Sequence, residues 1–287
     1  MRYKNMKIRL FILALLVAPV VKAQQPYTPE GLDAPVKVAA FQSGEKLTYV
    51  LGWELKGLMN ASAGEVVFKT SLTTIDNKPA YRIHASGKTL PNLRFIYDLD
   101  DTYETWLDMS TLRPLKFRSE LKENKYRYKA EYTYDWDNMK VSTHYHNLRK
   151  SPQTAEMDLT ENSADAVAFF FKLRSMDIGA LTPGEYQSFD FVMDKKIRSI
   201  RFKLLGRENR KLGKAGTFKT LKLSCELTST DDKDGQTFEE GTEFFLWLSD
   251  DKNHIPLYIE SPTKIGSVVA TIKSYEGLKY PIDSKVK

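Results

Sequence analysis

Residues 126–136 alternate without a break. Tyr126, Tyr128, Ala130, Tyr132, Tyr134 and Trp136 occupy one parity, and Arg127, Lys129, Glu131, Thr133 and Asp135 the other. A period of two puts the aromatics on one face of an extended strand and the charges on the opposite face. A helix, with its 3.6-residue period, would scatter the same residues around its circumference. Asp137-Asn138 can close a two-residue hairpin, since both residues tolerate positive φ. The return strand, 139–146, carries Met139, Val141, Thr143 and Tyr145 on the apolar parity and Lys140, Ser142, His144 and His146 on the polar one. This register sets Tyr132 opposite Thr143, Asp135 opposite Lys140 and Glu131 opposite His144, with favourable charge pairs across the strands. A slip of one residue would put charges where the tyrosines should pack.

The same logic extends over the chain. Turn clusters recur at Asp76-Asn77-Lys78-Pro79, Asp108-Met109-Ser110-Thr111, Asp231 to Gly235 and Asp250 to Asn253. Between them lie short alternating runs, such as Ile200, Phe202 and Leu204, then Leu221, Leu223, Cys225 and Leu227. The expected fold is mainly β: an antiparallel meander forming a curved sheet, half-barrel or sandwich. One segment breaks the pattern. Residues 163–178 read as a central helix with Ser163 as N-cap and Gly179 as the stop. Its apolar residues cover more than one stripe, so burial on the concave side of the sheet is expected. The helix divides two β-rich stretches, 41–150 and 180–278, of one elongated domain. Residues 24–40 read as an extended lead-in and 279–287 as a C-terminal tail.

The first twenty-three residues read as a cleaved secretory signal. Arg2, Lys4, Lys7 and Arg9 precede an apolar run from Leu10 to Val17, and Val21-Lys22-Ala23 offers small residues for a cut before Gln24. The run is too short for a transmembrane helix. Cleavage also changes the charge. The whole chain carries 43 basic and 37 acidic residues, a net +6. Residues 1–23 hold five of the basic residues and no acidic one, which leaves 38 against 37. The net charge of the remaining chain therefore gives no case for a nucleic-acid partner. Cys225 is the only cysteine, so the fold cannot rest on an internal disulfide, and no cysteine near the cleavage site offers a lipid anchor. The expected location is the periplasm of a Gram-negative bacterium.

Candidate chemistry is sparse. His144 and His146 share a strand face, but two ligands make no metal site. Thr230-Asp231-Asp232-Lys233-Asp234-Gly235 has the look of a calcium loop, yet Thr230 holds the first ligand position and Gly241 the twelfth, so a solvated turn is the better reading. Asp98, Asp100 and Asp101 could supply acid–base carboxylates, but without a partner constellation they read as turn or edge residues. Cys225 lies on an apolar strand face, as an inert buried thiol would. There is no nucleophile elbow, phosphate loop or zinc-hydrolase helix. No catalytic residue, metal site or cofactor is expected. Tyr132, Tyr134, Phe170 and Phe171 are the candidate apolar contacts for a ligand, with core filling as the competing role of each.

Several stretches together resemble the exported bacterial family called domain of unknown function 3108. They are Gly44-Glu45-Lys46-Leu47-Thr48-Tyr49 with Trp53 and Ala63-Gly64; Thr102-Tyr103-Glu104-Thr105-Trp106-Leu107-Asp108 with Thr111-Leu112-Arg113-Pro114; Phe170-Phe171-Lys172-Leu173-Arg174; Leu246-Trp247-Leu248-Ser249-Asp250-Asp251 with His254-Ile255-Pro256-Leu257; and Ile265-Gly266-Ser267. The resemblance spans roughly 41–278. It implies a β-rich envelope protein with no assigned activity and supplies no catalytic residues. Many relatives begin the helix with Asp-Pro, where this chain has Ser163-Ala164-Asp165-Ala166.

Three function classes follow. The first is a non-catalytic binding or envelope-assembly module for a hydrophobic or glycan ligand, a lipid among them, or for an envelope protein. The second is a carboxylate-dependent envelope hydrolase. The third, an outer-membrane barrel, fits least, because a helix interrupts the strands and the chain ends in Ser284-Lys285-Val286-Lys287 rather than an aromatic strand.

Overall fold

The computed structural model describes residues 38–55, 58–228, 242–263 and 266–286. The signal reading, most of the lead-in and the Thr230–Gly235 loop lie outside the described residues. The chain forms β1 (Lys46–Leu55), β2 (Leu58–Ile75), β3 (Lys78–Thr89), β4 (Asp100–Asp108), β5 (Pro114–Glu123), β6 (Tyr126–Asp135), β7 (Lys140–Asn147), β8 (Gln153–Asp158) and β9 (Ser163–Ala164). The helix α1 (Ala166–Arg174) follows. The second half contains β10 (Tyr186–Met193), β11 (Lys196–Lys211), β12 (Thr217–Thr228), β13 (Thr242–Ser249), β14 (Pro256–Pro262), β15 (Ser267–Glu276) and β16 (Lys285–Val286).

The strands make a single sheet in the order β8-β7-β6-β5-β4-β3-β2-β1-β15-β14-β13-β12-β11-β10-β9, with β16 added beside β12. Pairing is antiparallel throughout, except that β9 runs parallel to β10. The two edges, β8 and β9, are neighbours in sequence, separated only by residues 159–162. Laid flat, this many strands at about 4.8 Å spacing would put the edges roughly 67 Å apart. The linker reaches at most about 18 Å. The sheet must therefore curl almost into a ring, and it does so without a ladder between β8 and β9. Bulges supply part of the bend: the register shifts at Thr48/Tyr49 and Leu51/Gly52 of β1 and at Leu204/Gly206 of β11. Gly64 allows close approach, since a Cβ there would sit 2.8 Å from the Lys88 carbonyl oxygen.

Side chains fasten the strands just inside the two edges where the ladder is missing. The turn between β10 and β11 reaches the concave face of β6 and β7. There the Tyr132 hydroxyl donates to Asp194 Oδ1 at 3.1 Å and accepts from the Asp194 amide at 2.9 Å. Tyr128 also bonds the Asp194 carboxylate, and Thr143 Oγ1 donates to the Asp194 carbonyl at 2.6 Å.

The 126–147 hairpin has the expected register: Tyr132 faces Thr143, Glu131 faces His144 and Asp135 faces Lys140. Its turn differs in conformation. The residue with positive φ is Met139, at 51°, while Asp135 accepts from the Asn138 amide at 3.0 Å. The Asp135 side chain caps the turn, and the left-handed residue falls one position later than expected.

The helix is shorter than expected. Ser163 is not its N-cap, because Ser163 and Ala164 are taken up by the parallel bridge to β10. Asp165 caps instead, accepting from the amides of Val167 at 3.0 Å and Ala168 at 2.9 Å, which satisfies two of the four orphan donors of the first turn. The helix ends at Arg174, and Gly179 lies in a separate 3-10 turn, Ile178–Ala180. Eight of the nine helical residues are buried against the concave face; Phe170 is the exception.

Candidate functional site

The helix is clamped at both ends by residues distant in sequence. At its start, Thr105 Oγ1 of β4 donates to Asp165 Oδ2 at 2.8 Å. Burial pushes the Asp165 carboxyl up to about 6, against the downward pull of the helix amides and Thr105. At its end, Arg174 and Glu45 form a bidentate ion pair, Nη1–Oε1 2.7 Å and Nη2–Oε2 2.9 Å, with both side chains 1% exposed. Arg174 Nε donates to the Asn253 carbonyl at 3.1 Å. Its guanidinium also lies over the rings of Phe171 and Phe41, at 5.1 and 5.7 Å. The Arg174 pKa is raised on balance: burial lowers it, and Glu45, with Tyr49 and Asp251, more than offsets that.

Asn253 is itself fixed. Its Nδ2 donates to the carbonyls of Tyr280 and Pro281, and its Oδ1 accepts from the Tyr280 amide. Asp251 Oδ1 accepts from Ser249 Oγ at 2.9 Å and from the Asn253 amide at 3.0 Å. The stretches around Glu45, Thr105, Arg174 and Ser249–Asp251 are among those that resemble the family. In space they converge on one task, the holding of α1. Asp165 supplies the cap, so the departure from Asp-Pro is confined to Ala166 at the first helical position, where proline is tolerated but not required.

Between this clamped helix and the sheet lies a partly open cavity of about 40 Å³. Its walls are Leu47, Tyr49 and Leu51 of β1, Val66 and Phe68 of β2, Ile259 of β14 and Ala270 of β15, roofed by Phe170 and Phe171. One water needs about 10–15 Å³ of such space, so the cavity admits a small apolar group or the end of a hydrocarbon chain. Its only charged lining residue is Arg174, whose guanidinium is already engaged by Glu45 and Asn253.

The four residues expected to contact a ligand thus separate. Phe170 and Phe171 meet at the cavity. Tyr132 and Tyr134 are buried under the other half of the sheet, where Tyr132 holds Asp194 and the Tyr134 hydroxyl is buried with no hydrogen-bond partner among the described residues. The cavity wall from β1, β2, β14 and β15 was not singled out from sequence; its residues carry only an ordinary inward-facing alternation.

Two buried titratable groups were also missed. Asp101 is not an edge residue: it is 1% exposed, with Oδ1 accepting from the Lys122 amide at 2.9 Å. Its carboxyl is pushed up to about 7 by burial first, then by the neighbouring charge of Glu123. Tyr97 donates to Glu123 Oε2 at 2.5 Å. Asp98 and Asp100, by contrast, form surface ion pairs with Arg94 and Lys88. Lys172 is buried on α1, with Nζ 3.4 Å from the Ser163 carbonyl oxygen and 5.4 Å from the Phe189 ring centre. Burial lowers its pKa to about 8. Cys225 is fully buried and its thiol is pushed up by that burial. Among the described residues no group of three or more metal-ligating side chains converges, and no helix is long and apolar enough to cross a membrane.

Comparison with solved structures finds the same fold in a β-barrel-like protein of domain of unknown function DUF1849 from Brucella abortus. It is 12% identical, with TM-score 0.51, and the match covers 83% of this chain and 99% of that one. A "putative lipoprotein" from Parabacteroides distasonis is 10% identical with TM-score 0.38, covering 84% of this chain and 99% of that one. Comparison with curated proteins finds no match. The profile of the family described as Protein of unknown function (DUF3108) matches residues 48–273, and the chain belongs to that family.

Proposed function

We propose that this protein is an exported, non-catalytic envelope protein that holds the apolar end of a ligand between α1 and the concave face of the sheet. The observation that carries the reading is the partly open cavity under Phe170 and Phe171, walled by aliphatic and aromatic side chains. A lipid acyl chain fits such a lining. A glycan, which needs several hydrogen-bonding groups at once, fits it poorly. Export to the periplasm rests on the basic and apolar pattern of residues 2–23.

The test is native mass spectrometry of protein purified from its own envelope, set beside an Ala270→Leu variant that fills the cavity. An apolar adduct on the first that is absent from the second supports the reading. An unliganded protein, or an adduct retained by the variant, overturns it.

The hydrolase reading has one observation in its favour, the Asp101–Glu123 pair with its raised carboxyl. Both side chains are buried, however, and Tyr97 occupies Glu123, so a substrate would have to displace that tyrosine first.

A further inference from the structure

Strand alternation sends the β3–β4 loop, the β5–β6 turn and the β7–β8 loop to one end of the sheet. The clamped C-terminus of α1 lies at the other end, beside the start of β1. Hydrogen bonds join the three connections into a continuous rim. The Asp98 amide donates to Asn124 Oδ1 at 2.9 Å, and the Asn124 amide donates to the Asp98 carbonyl at 2.7 Å. The Leu148 amide donates to the Arg127 carbonyl at 3.2 Å, and Arg149 Nη2 donates to the Lys125 carbonyl at 3.3 Å.

This rim has two unusual properties. The first is apolar exposure at a braced tip. Phe95 is 85% exposed and Ile96, next to it, 67%, the two highest values among the exposed large hydrophobic residues; Leu148 on the same rim is 52% exposed. The tip is not loose, because the Ile96 and Tyr97 amides both donate to the Leu93 carbonyl, and Tyr97 is tied to Glu123. A single exposed apolar side chain needs no explanation, but two adjacent ones held outward at a rigid turn lose hydration entropy that some contact would recover.

The second property is charge. Residues 90–99, 124–127 and 147–152, the three connections with the first two residues of β6 and the last of β7, contain Arg94, Lys125, Arg127, Arg149 and Lys150 against one acid, Asp98. Asp98 is paired with Arg94. The other four cations are exposed and form no ion pair among the described residues; Arg127 and Arg149 are held only by backbone carbonyls. The chain is nearly neutral without residues 1–23, so this is a local concentration of charge that the net value conceals.

We propose that this rim docks on an anionic lipid bilayer. Phe95 and Ile96 enter the boundary between headgroups and acyl chains, and Lys125, Arg127, Arg149 and Lys150 lie over the headgroups. Apolar side chains projecting from a cationic surface are the combination that binds such an interface, since insertion and electrostatic attraction add. An acidic protein partner would use the same cations, but it would not respond to bilayer composition.

Co-sedimentation with vesicles tests the proposal and does not depend on whether the cavity holds a ligand. At low salt, the protein should partition onto vesicles of equal phosphatidylglycerol and phosphatidylcholine and at least tenfold less onto phosphatidylcholine alone. Changing Lys125, Arg127, Arg149 and Lys150 together to Gln should weaken binding on the order of several hundredfold, at about fivefold per removed charge. Phe95→Ser with Ile96→Ser should also weaken it while leaving the circular dichroism spectrum and Tm unchanged, because both side chains are exposed. In a Phe95→Trp variant, Trp emission should shift to the blue on addition of anionic vesicles. Equal binding to both vesicle types, no binding to either, or unchanged binding of the Ser variant would overturn the proposal.

Discussion

The Glu45–Arg174 pair allows a quantitative test of what holds the helix. Both side chains are 1% exposed and bond through two short contacts. Removing one partner of such a pair leaves a buried charge without compensation and typically costs about 3–5 kcal/mol. The two single replacements should not be equal. In Arg174→Met the stranded Glu45 carboxylate can take up a proton, which limits the cost to about 3 kcal/mol. In Glu45→Leu the stranded guanidinium cannot lose its proton, and the Asn253 carbonyl, the rings of Phe41 and Phe171 and the charge of Asp251 are what remain around it. That variant should lose about 5 kcal/mol. The double variant should regain most of the loss, since two apolar side chains strand no charge. Urea unfolding of the wild type, both singles and the double gives the coupling directly. Singles that each cost under about 1 kcal/mol, or a double as unstable as the sum of the singles, would refute the reasoning.

Two further outcomes follow from buried groups. The Asp101 carboxyl has a folded-state pKa raised from 3.8 to about 7, so the stability it contributes is complete below 3.8 and falls by about 1.4 kcal/mol per pH unit until about pH 7. Asp101→Asn should flatten that part of the stability–pH curve measured by urea unfolding, and an unchanged slope would count against the raised carboxyl. Cys225 should react with a bulky maleimide only at the rate of global unfolding, and fast labelling of native protein would contradict its burial.

The sequence made the strands legible where the alternation was strict. Tyr126 to Tyr145 carry enough aromatic and charged contrast to set a register, and the observed pairing follows it residue by residue. The Leu221–Leu227 parity likewise placed Cys225 in the core. The helix start was misread because Ser163 and Asp165 are both good caps by type. The choice between them was made by the β9–β10 bridge, a contact with residues 190–191 that local propensity cannot register. The site was half legible for the same reason. Phe170 and Phe171 stand out in a short apolar helix, but the cavity wall they face comes from strands more than 200 residues apart, β1 and β15. Asp101 read as a turn or edge residue, yet it shares the inward parity of β4 with Tyr103, Thr105 and Leu107, and a carboxylate among apolar neighbours gave no sign of which face it would take.

The position of β1 in the middle of the sheet has a consequence for how the chain reaches this state. Its two neighbours are β2, a local hairpin partner, and β15, which pairs Lys46 with Glu276. Until the last long strand is present, β1 offers an open edge bearing Leu47, Tyr49 and Leu51, the kind of edge that templates aggregation. Contacts across such sequence separations also make folding slow. The first half can therefore form its meander early but cannot complete its sheet while the second half is missing. For a chain exported as proposed above, that delay is useful, since a polypeptide threaded across a membrane must stay unfolded until its final strand has passed. On that proposal, partly translocated chains carry their stickiest edge for longest, and β1 needs shielding until β15 arrives.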